Sequence, residues 1–259
     1  MPINITNILK QGYSRSIEQN GLMLMGIIFV ISVLNGLLGI SITRWMAGRQ
    51  LATNAVKTNP TSLLPPVLAG IVAFVLGIAL LVVSIGAIRV FVSDETERLP
   101  REYFTRNMVW AAINFVIGGI IFGIIVSLGF VALIVPGIFL LVTLVFWTVY
   151  VAVEDENFIR AFRSSWGLTR GYRLNLLVLG VAVTLLVLLV NFVFGLGNLA
   201  SGSLIGDIVA LVIAQAASAI TTVFSTAVLA TAYTELKARQ DEEREKTINE
   251  DTTAGRPTA

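Results

Sequence analysis

The sequence predicts an all-α protein that crosses a membrane six times, and three observations support this fold class. First, 56% of the 259 residues are hydrophobic and only 13% are charged, whereas a typical soluble domain has roughly 25% charged residues. Second, the apolar residues form long uncharged blocks, as a helix through a roughly 30 Å bilayer core requires. Third, short charged segments separate these blocks. We therefore expect a polytopic integral membrane protein with short amphipathic helices at the interface.

Six blocks are long enough to cross the bilayer once each. They cover about residues 22–42, 67–88, 108–133, 137–153, 174–194 and 204–236. The third and fourth blocks belong to one uncharged stretch, which is too long for a single crossing at about 1.5 Å per residue. Pro136 and Gly137 are expected to form the structural turn between them, because proline fits the first turn of a helix and is disfavoured further in.

The charge distribution predicts how the chain is oriented. All but three of the 18 Lys and Arg residues fall on one side of a six-span arrangement, the exceptions being Arg44, Arg49 and Lys57. The positive-inside rule then places both termini in the cytoplasm, with the protein in the cell membrane. We expect a cytoplasmic segment at residues 1–20, a membrane domain at 21–236 and a disordered cytoplasmic tail at 237–259. The first apolar block is longer than a signal-peptide core of roughly 7–15 residues, so it is expected to remain as a span.

Residues 154–173 combine aromatic and basic side chains. Phe158, Phe162 and Trp166 are four positions apart, which predicts an amphipathic interfacial helix with aromatics toward lipid and arginines toward headgroups. The candidate lipid- or partner-binding residues are Arg160, Arg163, Trp166, Arg170 and Arg173. The competing interpretation is ordinary anchoring of a cytoplasmic segment by positive charge.

The last span carries two further features. Small residues recur every four positions at Ala210, Ala214, Ser218, Thr222, Thr226 and Ala230, and this helix-packing stripe is expected to face other helices of the bundle. Asp207 is the only carboxylate embedded in this apolar region. It is either a functional intramembrane group or a cap at the N-terminus of the last span.

Composition excludes much catalytic chemistry. The chain has no Cys and no His, which removes thiol nucleophiles, thiolate metal ligands and the commonest general base. Ser164 and Ser165 therefore read as a pair on a helix surface and not as nucleophiles. No metal site, cofactor or enzymatic activity is predicted, and a net charge of +2 gives no indication of nucleic-acid binding.

Residues 136–180 resemble the membrane domain found beside some glycerophosphoryl diester phosphodiesterases, and the related stand-alone multi-pass proteins. The matching residues are Pro136, Gly137, Asp155, Ala161, Ser164 or Ser165, Trp166, Leu168, Thr169 and Gly171. The resemblance implies a six-helix membrane domain with interfacial elbow helices. It does not imply phosphodiesterase activity, which belongs to a separate soluble barrel that uses histidines.

Two functional hypotheses remain. The first is a non-enzymatic scaffold or accessory subunit that acts on membrane lipids or on a membrane-protein partner, or forms a homo-oligomer, at the cytoplasmic interface. The alternative is a transporter or channel for a small or lipid-like solute. It is motivated by polar residues within the spans, namely Asn35, Asn114, Asn191 and Gln215.

Overall fold

The computed structural model describes residues 4–51, 65–93, 95–195 and 204–254, and within these ranges the chain forms helices and no β-strand. In chain order the helices are α1 (Ile5–Ile17), α2 (Gln19–Leu51), α3 (Pro66–Val92), α4 (Glu102–Thr105), α5 (Met108–Ala132), α6 (Ile134–Thr143), α7 (Trp147–Val153), α8 (Phe158–Leu168), α9 (Arg173–Gly195) and α10 (Leu204–Ala254).

Six helical segments in the described ranges are long and apolar enough to cross a membrane. They are Gln19–Gly39, Val67–Val92, Met108–Ala132, Ile134–Val153, Arg173–Gly195 and Ile205–Lys246. Each overlaps one of the six predicted blocks. The prediction of an all-α, six-span membrane protein is therefore confirmed.

The reversal between the third and fourth spans lies at Leu133, three residues before the predicted turn. Leu133 has extended backbone, and α6 begins at the next residue. Pro136 and Gly137 lie in the first turn of α6, where the missing proline N–H costs no helical hydrogen bond. Gly137 is needed for close packing, because a Cβ at this position would lie 2.6 Å from the ring of Phe130. The pair thus stabilises the hairpin from inside the helix.

The predicted stripe on the last span is not a single packed face. Ala210 and Ala230, at its two ends, are buried, whereas residues between them face away from the bundle. Ala214, Ser218 and Thr222 are exposed, and Thr226 is half-buried. A step of four residues advances about 40° beyond one full helical turn, so five such steps carry the row about 200° around the helix. The residues that α10 buries here are Ala210, Ala217, Ala219, Thr221, Val223, Ala227, Val228 and Ala230.

The last helix extends further than the sequence indicated. The tail predicted as disordered continues α10 to Ala254, and residues 255–259 lie outside the described ranges. Charged residues favour this extension through pairs four positions apart, such as Arg239 with Glu235 at 2.6 Å. At the other end, α1 packs along α10, and a Cβ on Gly12 would lie 2.9 Å from the Val228 Cα.

The charged segments meet at one end of the helical bundle. Arg15 of α1 donates to the carbonyls of Phe91 and Ser93 at the end of α3, over 3.0 and 2.6 Å. Asn20 donates to the Glu95 carbonyl over 2.6 Å. The connection from α3 to α5, the segment before α8 and the extended part of α10 converge on the same end through the contacts described below. This arrangement is the one that the six-span prediction requires.

Candidate functional site

A buried arginine organises the charged end of the bundle. Arg89, in the last turn of α3, is only 4% exposed. Its Nε donates to the Ala152 carbonyl over 2.5 Å, and its Nη1 donates to the carbonyls of Tyr103 and Arg106 over 3.0 and 2.8 Å. Its Nη2 lies 3.3 Å from Asp155 Oδ1. One guanidinium thus joins α3, the segment around α4 and the end of α7.

Asp155 completes this network from the segment before α8. Its carboxylate also lies 3.6 Å from Arg106 and accepts from Asn107 Nδ2 over 3.1 Å. The Trp110 indole donates to its carbonyl over 3.3 Å. Asp155 and Asn107 both have left-handed backbone, with φ of 52° and 47°, a conformation that Asp and Asn adopt more readily than other side chains. These contacts fix where the chain turns from α7 into α8.

The sequence did not reveal the burial of Arg89. The predicted second span, residues 67–88, stops one residue before Arg89, because an apolar block is taken to end at its first charged residue. The sequence around Arg89 could have indicated its burial, because the residues that flank it are apolar. In the structure, Ile85, Ile88, Val90 and Phe91 are buried as well. A single charge enclosed by apolar residues in a helix has to be paired.

Glu154 links α7 to α10. Its carboxylate accepts from Tyr233 and Lys237, over 2.5 and 2.8 Å. Tyr150 packs edge-on against Tyr233, with ring centroids 5.3 Å apart. Partial burial alone would raise the pKa of Glu154, but the hydrogen bonds from Lys237 and Tyr233 outweigh it and lower the pKa below its ordinary value. Glu154 therefore holds α10 against the segment that leads into α8 as an ionised group.

Ser164 and Ser165 do not form a surface pair, contrary to the sequence interpretation. Ser165 is fully buried. Its Oγ donates to the Thr143 carbonyl over 2.9 Å and accepts from the Phe146 N–H over 3.1 Å. These groups lie where the fourth span divides into α6 and α7, so Ser165 satisfies backbone groups at the break. Ser164 bonds instead to the carboxylate of Glu156.

The aromatic stripe of α8 divides between the core and the outside. Phe162 packs edge-on against Trp147 of α7, and Phe158 packs against Phe162. The expectation that Phe158 and Phe162 face lipid is wrong, because both rings pack on the side of α8 that faces Trp147, which lies in the core. Trp166 is 43% exposed.

The outer face of α8 carries the predicted basic residues. Ile159 and Trp166 are exposed and lie seven positions apart, hence on one side of the helix. Arg160 and Arg163 are exposed on the adjoining side, and Arg170 is exposed just after the helix. Within the described ranges these three arginines form no ion pair. This surface, which we call the basic α8 face, consists of these five residues.

Arg173 lies apart from this surface. Its guanidinium carbon lies 4.7 Å from the ring centroid of Phe139 and 4.9 Å from that of Trp166. Its Nε is enclosed and has no acceptor in the part of the chain that the structure describes. Stacking on two aromatic rings holds this side chain in place, so its role differs from that of the exposed arginines.

Two of the four polar residues that the sequence analysis named within the spans line one cavity. Asn35 and Gln215 line a cavity of about 360 Å³ between α2, α3 and α10, together with Ser32, Gly36 and Leu80. The other two residues named from the sequence lie elsewhere. Asn114 accepts from the Phe158 N–H at the start of α8 over 3.1 Å, and Asn191 bonds within its own helix. Asp207 lies in the first turn of α10.

The described residues contain no group of three or more His, Cys, Asp or Glu side chains that could hold a metal ion. Glu154, Asp155 and Glu156 are consecutive but bind three different sets of partners. The arrangement of this end is therefore one of ion pairs and hydrogen bonds that position α8.

A family comparison covers nearly all of the structure described above. The model of the family described as Domain of unknown function (DUF7847) matches residues 3–236. The chain belongs to this family. No curated protein and no solved structure matches it. The match includes the six spans, α1 and α8, so these form one family domain, but it shows no link to the membrane domain beside glycerophosphoryl diester phosphodiesterases.

Proposed function

We propose that the protein is a non-enzymatic membrane protein whose basic α8 face binds anionic lipid headgroups at the cytoplasmic surface of the cell membrane. The observation that carries the proposal is that three exposed arginines lie beside two exposed apolar side chains on α8 and just after it. Among the described residues, these arginines have no partner in an ion pair. Apolar side chains of this kind enter the headgroup region, where arginines gain attraction to lipid phosphates.

The assignment to the cytoplasmic side follows from charge. The segments that meet at the charged end of the bundle hold most of the Lys and Arg residues of the chain, and short cytoplasmic segments carry such an excess. The proposal includes no catalytic step that needs a histidine, since the chain has no His.

Neutralising the exposed arginines should reduce the preference for anionic lipid. In the triple variant Arg160→Gln, Arg163→Gln, Arg170→Gln, we expect the preference for phosphatidylglycerol over phosphatidylcholine to fall on the order of 100-fold, since each basic group near the surface contributes about 1 kcal/mol. Arg173 stays unchanged because its stacking contributes to the fold. Lipids retained by the purified protein in mixed nanodiscs, counted by native mass spectrometry, give the measurement.

A matched control uses basic residues outside α8. Lys10, Arg98 and Arg101 are exposed, and replacing all three with Gln removes the same charge. This control should keep the lipid preference. An equal loss in both variants would show a general charge effect and contradict the proposal. A co-purifying polypeptide lost only with the α8 variant would replace lipid by a protein partner.

A second candidate function, transport of a small solute, rests on the cavity between α2, α3 and α10. Within the described ranges, the side chains of Ser32, Asn35 and Gln215 form no hydrogen bond to protein. The volume of the cavity, about 360 Å³, lies in the range of small-molecule sites, roughly 300–1,000 Å³. One helical turn closer to the charged end, the buried residues Ile28, Val83 and Ala219 close the space between the same three helices.

Transport requires this cavity to contain water. The chain has no Cys, so single cysteines can be introduced without a background. Ser32→Cys and Asn35→Cys should react with a membrane-impermeant methanethiosulfonate on the order of tenfold faster than Leu34→Cys, since thiols react as the hydrated thiolate. Leu34 lies within the same span, on the outer surface of the bundle that faces lipid. Equal reactivity at all three positions would exclude a hydrated cavity and with it this second function.

A further inference from the structure

A second cavity lies at the charged end of the bundle, where α1, α3 and α10 meet. Its volume is about 330 Å³, and its polar lining consists of Gln11, Ser14, Arg15, Glu18, Thr231 and Thr234. We call it the α1 pocket. Neither the basic α8 face nor the Arg89 network shares a residue with it.

Glu18 leaves an unsatisfied acceptor in this pocket. Its Oε2 is enclosed and has no hydrogen-bond donor among the described residues. Burying a carboxylate oxygen without a donor is costly, so this oxygen requires a donor from water, an ion or a ligand. Arg15 lines the same pocket, and its Nη1 donates to the carbonyls of Phe91 and Ser93.

The two threonines of the pocket add acceptors and no donors. The Thr231 hydroxyl donates to the Ala227 carbonyl over 2.8 Å, and the Thr234 hydroxyl donates to the Thr231 carbonyl over 3.0 Å. With their protons engaged in their own helix, both oxygens can only accept from a ligand. Glu18 and the two threonines therefore present several acceptors to one small cavity.

We propose that the α1 pocket binds a primary ammonium group, carried either by a lipid headgroup of the ethanolamine type or by a free amine. An ammonium group has three N–H donors and no acceptor, which matches the acceptors that Glu18, Thr231 and Thr234 present. Its positive charge compensates Glu18, and the charged bond is stronger than a neutral one. A trimethylated ammonium has the same charge but no N–H, so the pocket should distinguish the two.

Thermal unfolding of the detergent-purified full chain tests this. Phosphatidylethanolamine at about 100 times its dissociation constant should raise the Tm by about 5–10 °C, and phosphatidylcholine should not. Ethanolamine with the same effect would identify a free amine as sufficient, and a response to the lipid alone would identify the headgroup as the source. Equal effects of the two lipids, or no effect of either amine, would overturn the proposal.

The variant Glu18→Gln separates binding from a structural role. Without added lipid its Tm should equal or exceed that of the wild type, because a charged oxygen that is enclosed without a donor is removed. With phosphatidylethanolamine its Tm should fall below that of the wild type. Glu97 is an exposed acid on the connection after α3, and Glu97→Gln should respond to the lipid as the wild type does. A Glu18→Gln protein that gains the full stabilisation would refute the assignment, while loss of lipid preference at the basic α8 face would leave it unaffected.

Discussion

Replacing Arg89 by Met should lower the free energy of unfolding by about 3–5 kcal/mol, the range measured when one partner of a buried ion pair is removed. The substitution leaves the carbonyls of Ala152, Tyr103 and Arg106 without their donor and leaves Asp155 with the exposed Arg106. Unfolding of the protein in mixed micelles by sodium dodecyl sulfate, followed by circular dichroism, gives the measurement.

The two sides of this ion pair should differ in a defined way. Asp155→Asn keeps an acceptor for Arg89 and a residue that tolerates left-handed backbone, so we expect a smaller loss of about 1–3 kcal/mol. Asp155→Ala should lower the free energy of unfolding by about 1–2 kcal/mol more than Asp155→Asn. The alanine methyl group accepts no hydrogen bond, and alanine rarely adopts a φ of 52°. The combination of Arg89→Met with Asp155→Asn should be less destabilising than the sum of the single variants.

Arg98→Met provides the control, since Arg98 is exposed on the connection that follows α3. It should change the free energy of unfolding by less than about 0.5 kcal/mol. An Arg89→Met protein as stable as this control would show that the guanidinium does not hold the helix ends together. The position of α8, and with it the basic α8 face, would then need another cause.

Hydropathy predicted the fold class because the bilayer imposes it. A backbone within lipid has to satisfy its own hydrogen bonds, so any uncharged block of sufficient length becomes a helix regardless of its partners. The same reasoning fails at the span ends, where water, headgroups and protein all accept a charge. Arg89 and Arg98 are nine positions apart in one charged segment, yet one is buried and the other exposed.

The sequence also did not reveal which side of each helix faces its neighbours. A row of small residues at four-residue spacing, such as Ala210 to Ala230, drifts around a helix, and the sequence gives no record of where neighbouring helices stand. For α8 the four-residue spacing placed the aromatic residues in a row but did not show which of them face the core. The side that it presents depends on Trp147, which is eleven residues before Phe158 and comes from another helix.

Ser165 and Ser164 give the second large contrast between neighbouring positions. Ser165→Ala removes the acceptor of the Phe146 N–H and one donor to the Thr143 carbonyl in a fully buried place. We expect the free energy of unfolding to fall by about 1–3 kcal/mol. Ser164→Ala removes one bond to the accessible carboxylate of Glu156 and should cost about 0.5–1 kcal/mol.

The pair also separates a structural serine from a catalytic one. Thr169 donates to the same Thr143 carbonyl over 3.2 Å, so Ser165→Ala combined with Thr169→Val should be more destabilising than either change alone. A fluorophosphonate probe, which labels activated serines, should label neither serine in the folded protein. If it labelled Ser165, or if Ser165→Ala were as mild as Ser164→Ala, the hydroxyl would not be what joins α8 to the break between α6 and α7. The division of the fourth span would then have to be maintained by Thr169 and by the packing of Trp147 against Phe162.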